Sequence, residues 1–100
     1  MARPNEVLVK DPNDELIYEV DWTDWLGDDE IVSSTFTIPN PPDAVLTKDN
    51  AAIVTGNKKT VVRLLGGTLN KKYRITNQIV TDESPTETVE RSFFVKIQNI

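Results

Sequence analysis

Residues 15–22 alternate with period two: Leu16, Tyr18, Val20 and Trp22 point one way, Ile17, Glu19 and Asp21 the other. That spacing marks a strand with one buried face, and it fixes both the element and its inward side. The same period recurs along the chain. Val7 and Val9 alternate with Leu8 and Lys10 in a short first strand, closed by the turn Asp11-Pro12-Asn13-Asp14. Residues 30–38 read as a strand with Val32, Phe36 and Ile38 inward and Ser34 between them. Residues 44–47 and 51–55 read as two short strands around a turn at Lys48-Asp49-Asn50, and Gly56-Asn57 turns the chain again. Thr60 to Leu65 places Val62 and Leu64 on one face. Residues 72–81 place Tyr73, Ile75, Asn77 and Ile79 together, and 87–98 do the same for Val89, Phe93, Val95 and Ile97. Pro39-Asn40-Pro41-Pro42-Asp43 stops any sheet, because proline has no N–H to donate and fixes its own φ. No segment carries an apolar stripe at helical spacing for three turns. The prediction is an all-β, antiparallel sandwich of seven or eight short strands. One hundred residues is the size of one domain. Within it, residues 1–14 read as an N-terminal arm with the first short strand, and 15–100 as the sandwich.

Two positions narrow the sandwich further. In immunoglobulin-like domains a tyrosine near the start of the penultimate strand bonds back to the preceding corner, two residues before an inward core position. Gly66-Gly67-Thr68-Leu69-Asn70-Lys71-Lys72-Tyr73-Arg74-Ile75 has that form, with Tyr73 as the corner. The plainer alternative is that Tyr73 is a strand aromatic and nothing more. Asp21-Trp22-Thr23-Asp24-Trp25-Leu26-Gly27 holds both tryptophans and breaks the strand pattern. It reads as a packed corner, one helical turn capped by Thr23, with Gly27 permitting the change of direction. Trp22 and Trp25 are expected to wedge between the facing sheets, and either could supply the central core aromatic.

The chain has no cysteine and no histidine. Thiolate chemistry, disulfides and zinc–thiolate sites are therefore ruled out, together with the commonest general base. Carboxylates remain: Asp21, Asp24, Asp28, Asp29 and Glu30. They lack the spaced pattern of a calcium loop, and glycoside hydrolysis would need them across a cleft. No catalytic, cofactor or metal residue is assigned. Lys58-Lys59 and Lys71-Lys72 are the basic clusters, but the net charge of −5 has the wrong sign for a nucleic-acid binder. No apolar run is long enough to span a bilayer, and the opening residues lack the apolar core of a signal peptide; no membrane partner is expected. Residues 1–50 carry three basic and twelve acidic side chains, and residues 51–100 carry eight and four. Either the domain has two faces of opposite sign, or strands from both halves interleave and mix the charges. Phe93 follows the core phase, so adjacent Phe94 points outward. It is a contact residue if exposed, unless the Pro39–Asp43 loop or the N-terminal segment covers it.

The run Asp-Trp-Thr-Asp-Trp-Leu-Gly-Asp-Asp-Glu-Ile-Val-Ser-Ser-Thr-Phe-Thr-Ile-Pro, residues 21–39, resembles small virion proteins of tailed bacteriophages described as fiber–tail adaptors. Val62 to Thr68 running into Tyr73 to Thr81, the closing Glu90 to Ile97, and the opening Val9 to Asp14 resemble the same family, in order. The Pro39–Asp43 stretch and the Lys48-Asp49-Asn50 loop depart from it, being longer and more polar. The resemblance implies a non-enzymatic virion structural protein, made in the host cytoplasm, that joins tail fiber to tail in a multi-copy symmetric assembly. Its partners would be other virion proteins of tail, fiber or capsid. Arg3 and Pro4, in an extended arm, join Phe94 as expected partner contacts. A capsid decoration protein is the first alternative, and a carbohydrate-binding surface module the second.

Overall fold

The computed structural model describes residues 6–82 and 85–99. Among these residues seven strands and one helical turn succeed one another: β1 (Val7–Lys10), β2 (Glu15–Asp21), α1 (Thr23–Leu26), β3 (Ile31–Thr37), β4 (Thr47–Ile53), β5 (Lys59–Leu65), β6 (Lys72–Thr81) and β7 (Thr88–Ile97). They form a four-stranded sheet, β1-β7-β6-β3, and a three-stranded sheet, β2-β5-β4. All pairings are antiparallel except β1 with β7, which is parallel. This is the two-sheet arrangement of an immunoglobulin-like sandwich, with the first strand on the side of the last.

The inward rows expected from alternation form the core, except that Leu16, at the start of β2, is 39% exposed. Val62 and Leu64 on β5, Tyr73, Ile75 and Ile79 on β6, and Phe93, Val95 and Ile97 on β7 are buried. Tyr18, Val20 and Trp22 close it from the β2 side, and the Tyr18 ring stacks on Phe93 at 5.8 Å. Strands from both halves of the sequence interleave: Glu15 and Glu19 on β2 face Arg63 and Lys59 on β5. At separations of 3.8 and 4.0 Å on the surface, these pairs add little to stability.

Three further expectations of the strand reading fail, each for a local reason. A bulge between Ile31 and Ser33 reverses the phase of β3, so Ile31 is buried and Val32 faces solvent. Lys48-Asp49-Asn50 is no turn. β4 runs through it, a register shift between Asp49 and Ala52 absorbing one extra residue, with Asn50 at φ +52°. Asp49 instead takes a bidentate pair from Arg63, both bonds 2.7 Å. Thr23, finally, is the first residue of α1 and not its cap; Trp22 holds that place without a side-chain cap bond.

Lys10 is wholly buried at the end of edge strand β1. Its ammonium donates to the carbonyls of Gly66 (2.7 Å) and Asp11 (2.9 Å). Loss of solvent pulls its pKa down, opposed by the charges of Asp14, Asp11 and Glu15. An inward-pointing charge on an edge strand works against edge-to-edge aggregation.

Candidate functional site

β2 ends at Asp21, whose carboxylate accepts the Thr23 N–H (2.9 Å) and hydroxyl (2.5 Å). Those two bonds hold its pKa below the usual carboxylate value. They also turn the chain into α1. A helical turn advances about 100° per residue, so Trp22 and Leu26 share the inward side and Trp25 falls at the rim. Trp22 and Leu26 are 2% and 4% exposed, whereas Trp25 is 43% exposed. The expectation that both indoles lie between the sheets is corrected: Trp22 alone does so. Trp25 packs edge-on against it, centroids 6.0 Å apart at 73°. Gly27 ends the turn at φ +61°. Lys58 fastens the segment after the turn, its ammonium donating to the Gly27 carbonyl (2.7 Å) and to the Asp29 carbonyl. Asn57 adds a bond from its amide to Glu30 Oε1 (2.9 Å), and Asp82 accepts the Glu30 N–H (2.9 Å). The corner is therefore a rigid mount for one exposed indole.

Beneath it lies a residue that periodicity places inward but whose role it does not reveal. Asn77 is wholly buried on β6. Its Oδ1 accepts Trp22 Nε1–H (3.0 Å) and the Thr60 hydroxyl (2.6 Å). Its Nδ2 donates to Ser34 Oγ (2.9 Å) and to the Thr35 carbonyl (3.2 Å). One amide thus ties the tryptophan corner to both sheets.

At the other end, Tyr73 is fully buried, and its hydroxyl bonds back to the loop that precedes β6. Its hydroxyl accepts the Thr68 N–H (3.0 Å) and donates to Asp43 Oδ1 (2.6 Å). Asp43 also accepts the Thr68 hydroxyl (2.7 Å) and the Val45 N–H (3.1 Å). The Tyr73 bond first, then that from Thr68, holds the Asp43 carboxyl below its ordinary pKa of 3.8. A depressed carboxyl pKa adds stability above the unfolded value and loses it as pH falls through the folded one. The melting-temperature advantage of the wild type over Asp43→Asn should therefore shrink as pH is lowered from 6 towards 2. A gap independent of pH would show that the charge on Asp43 contributes nothing.

Phe94 stands half-buried on the outer face of the four-stranded sheet. Its register partners are Val7 on β1 and Arg74 on β6, and the Lys72 ammonium lies 5.1 Å from its ring centroid. β1 flanks it. Val7 and Val9 beside it are about half exposed, at 51% and 47%. Arg3 and Pro4 lie outside the described residues. Among the described residues, no three carboxylates come together so as to hold a metal ion.

The sequence matches the family model described as podophage GP4 fiber-tail adaptor protein gp77 over residues 10–96. It is also 35% identical over 74 residues to an uncharacterized RNA methyltransferase of Leptospira interrogans serogroup Icterohaemorrhagiae serovar copenhageni. The corresponding protein of serovar Lai matches to the same extent. Each alignment takes in 63% of this chain and only 18% of the methyltransferase.

Proposed function

Since the chain belongs to the podophage fiber-tail adaptor family, we propose that it joins a receptor-binding fiber to the tail of the virion, acting without catalysis. The observation that carries this reading is the family match across nearly the whole sandwich, residues 10–96. The physical features agree with it. The domain is elongated, 44 Å along its longest axis, and is cross-tied inside by the Asn77 amide. It presents an exposed indole at one corner and a mixed aromatic and basic face around Phe94. Tryptophan is enriched among residues that dominate binding energies, because a large rigid ring loses little entropy on contact. We place partner contact at Trp25 and at the Phe94 face, with many copies arrayed symmetrically so that modest affinities multiply. The methyltransferase likeness establishes no catalysis, since it spans under a fifth of those proteins.

A tagged copy located on purified virions by cryo-electron microscopy tests the reading, with label expected where fibers meet the tail. Label arrayed over the head would sink it in favour of capsid decoration. Methylated RNA, formed by the pure chain from a methyl donor, would sink the non-enzymatic part.

A further inference from the structure

Charges mix on the outer face of the three-stranded sheet but segregate on that of the four-stranded one. Lys72 and Arg74 at the start of β6 and Lys96 near the end of β7 flank Phe94, with Val7 and Val9 of β1 beside them in register. The Lys72 ammonium rests over the Phe94 ring, and Arg74 Nε donates to Ser92 Oγ at 3.1 Å. Among the described residues, none of the three cations has a carboxylate within ion-pair distance. The face therefore has an apolar centre and a cationic rim.

The Trp25 corner has the opposite make-up. Asp24 adjoins the exposed indole, Asp28, Asp29 and Glu30 follow it, and Asp82 is held to Glu30 through the Glu30 N–H. Two cations stand near. Lys58 is engaged by the Gly27 and Asp29 carbonyls, and the Arg91 guanidinium lies 5.7 Å over the Trp22 ring. No cation among the described residues forms an ion pair with these carboxylates. The corner is thus an apolar centre with an anionic rim. Lys72 is the first residue of β6, and Asp82 follows its last. At about 3.3 Å per residue the two patches lie roughly 30 Å apart. On a domain 44 Å long they occupy opposite ends and cannot meet within one copy.

We propose that the Phe94 face of one copy receives the Trp25 corner of a second copy, head to tail. The indole packs on Phe94, Val7 and Val9, while Asp24 and Asp28 meet Lys72 and Lys96. The occupant is a second copy because this chain itself carries the complement of the face, in its apolar centre and in the sign of its rim. Two Phe94 faces cannot pair with each other, since that would set Lys72, Arg74 and Lys96 against like charges. A contact between unlike patches is heterologous, so it continues from copy to copy and closes into a ring wherever the rotation allows. The inference rests on the adaptor reading only for what gathers the copies in one place.

Sedimentation velocity on the pure chain is the test. At an ionic strength of about 0.01 M, where charges act over about 30 Å, the mass should rise with concentration beyond that of a dimer. In about 1 M salt it should return to that of one chain. The charge-reversed variants Lys72→Glu/Lys96→Glu and Asp24→Lys/Asp28→Lys should each fold, by circular dichroism, and associate at least about tenfold more weakly. Mixed in equal amounts they should associate again, because each supplies the sign the other has lost. Both variants remain net negative, so bulk attraction does not explain that rescue. A single-chain mass at about 1 mM in low salt overturns the proposal; so does association indifferent to salt and to both reversals, or a mixture that stays apart. Should a reversed variant not fold, carbodiimide coupling of the wild type decides: Lys72 or Lys96 should be linked to Asp24 or Asp28, a span that only two copies can bridge. Links confined to other pairs overturn the contact. If the chain sits at the fiber–tail junction but does not self-associate, the copy-to-copy contact alone falls, and the Phe94 face is left to an acidic segment of another virion protein. If it associates as described but sits on the head, the adaptor reading alone falls.

Discussion

Trp22→Ala is expected to lower the unfolding free energy by about 3–5 kcal/mol, the usual cost of truncating a large core aromatic. Trp25→Ala, three residues away, is expected to cost about 1–2 kcal/mol, an edge-to-face ring pair plus the partial burial of one indole. The difference comes from burial and bonding, since the residue type is the same. Trp22 is 2% exposed, fills the space between the sheets and donates its indole N–H to Asn77. Removing it leaves a cavity and takes away one donor to a buried amide. Trp25 is 43% exposed, so it gives up its ring contact with Trp22 and only part of a core indole's burial. Small domains are stable by only about 5–15 kcal/mol, so Trp22→Ala should approach the edge of folding. Urea unfolding followed by circular dichroism measures both. Equal losses would mean that the helical turn does not divide the two rings as described, and would remove Trp25 as a surface contact.

That pair also shows where local sequence stops being informative. Period-two alternation places Tyr18, Val62, Ile75 and Phe93 inward, because a strand with one buried face has only two phases. It places Trp22 inward but says nothing of Trp25, since the alternation ends there and a helical turn with another period begins. Val32 is misplaced by alternation because a bulge is a property of the pairing: nothing in Ile31-Val32-Ser33 shows that β6 meets two of these residues with one. The β4 reading fails likewise, Asn50 looking like a turn residue when it is the left-handed residue of a bulge. Tyr73 can be read from its spacing to the glycines, but its acceptor Asp43 lies thirty residues earlier in a proline-rich loop. Among the candidate contacts, the outward phase of Phe94 is visible in the sequence.

The second large effect is expected at Asn77. Asn77→Leu keeps the approximate volume but removes the acceptor of Trp22 Nε1–H and of the Thr60 hydroxyl, and the donor to Ser34. Two fully buried donors, Trp22 Nε1–H and the Thr60 hydroxyl, are left unsatisfied at about 1–3 kcal/mol each, so a total loss of about 2–6 kcal/mol is expected. Size alone does not identify the mechanism, because overpacking by leucine could cost about 1–3 kcal/mol as well. A double-mutant cycle with Thr60→Val separates the two causes. In the wild type, Thr60→Val breaks a bond to Asn77 and should cost about 1 kcal/mol. In the Asn77→Leu background the threonine hydroxyl is already orphaned, so replacing it with a methyl should be neutral or stabilising. The expected coupling is of the order found for residues sharing a bonded network, about 0.5–3 kcal/mol. Simple additivity would mean that the leucine is merely a poor fit and that the amide is not the tie between the sheets. It would also weaken the case for a stiff adaptor, because Asn77 connects the mount of Trp25 to β3 and β5, and through them to the rest of the sandwich.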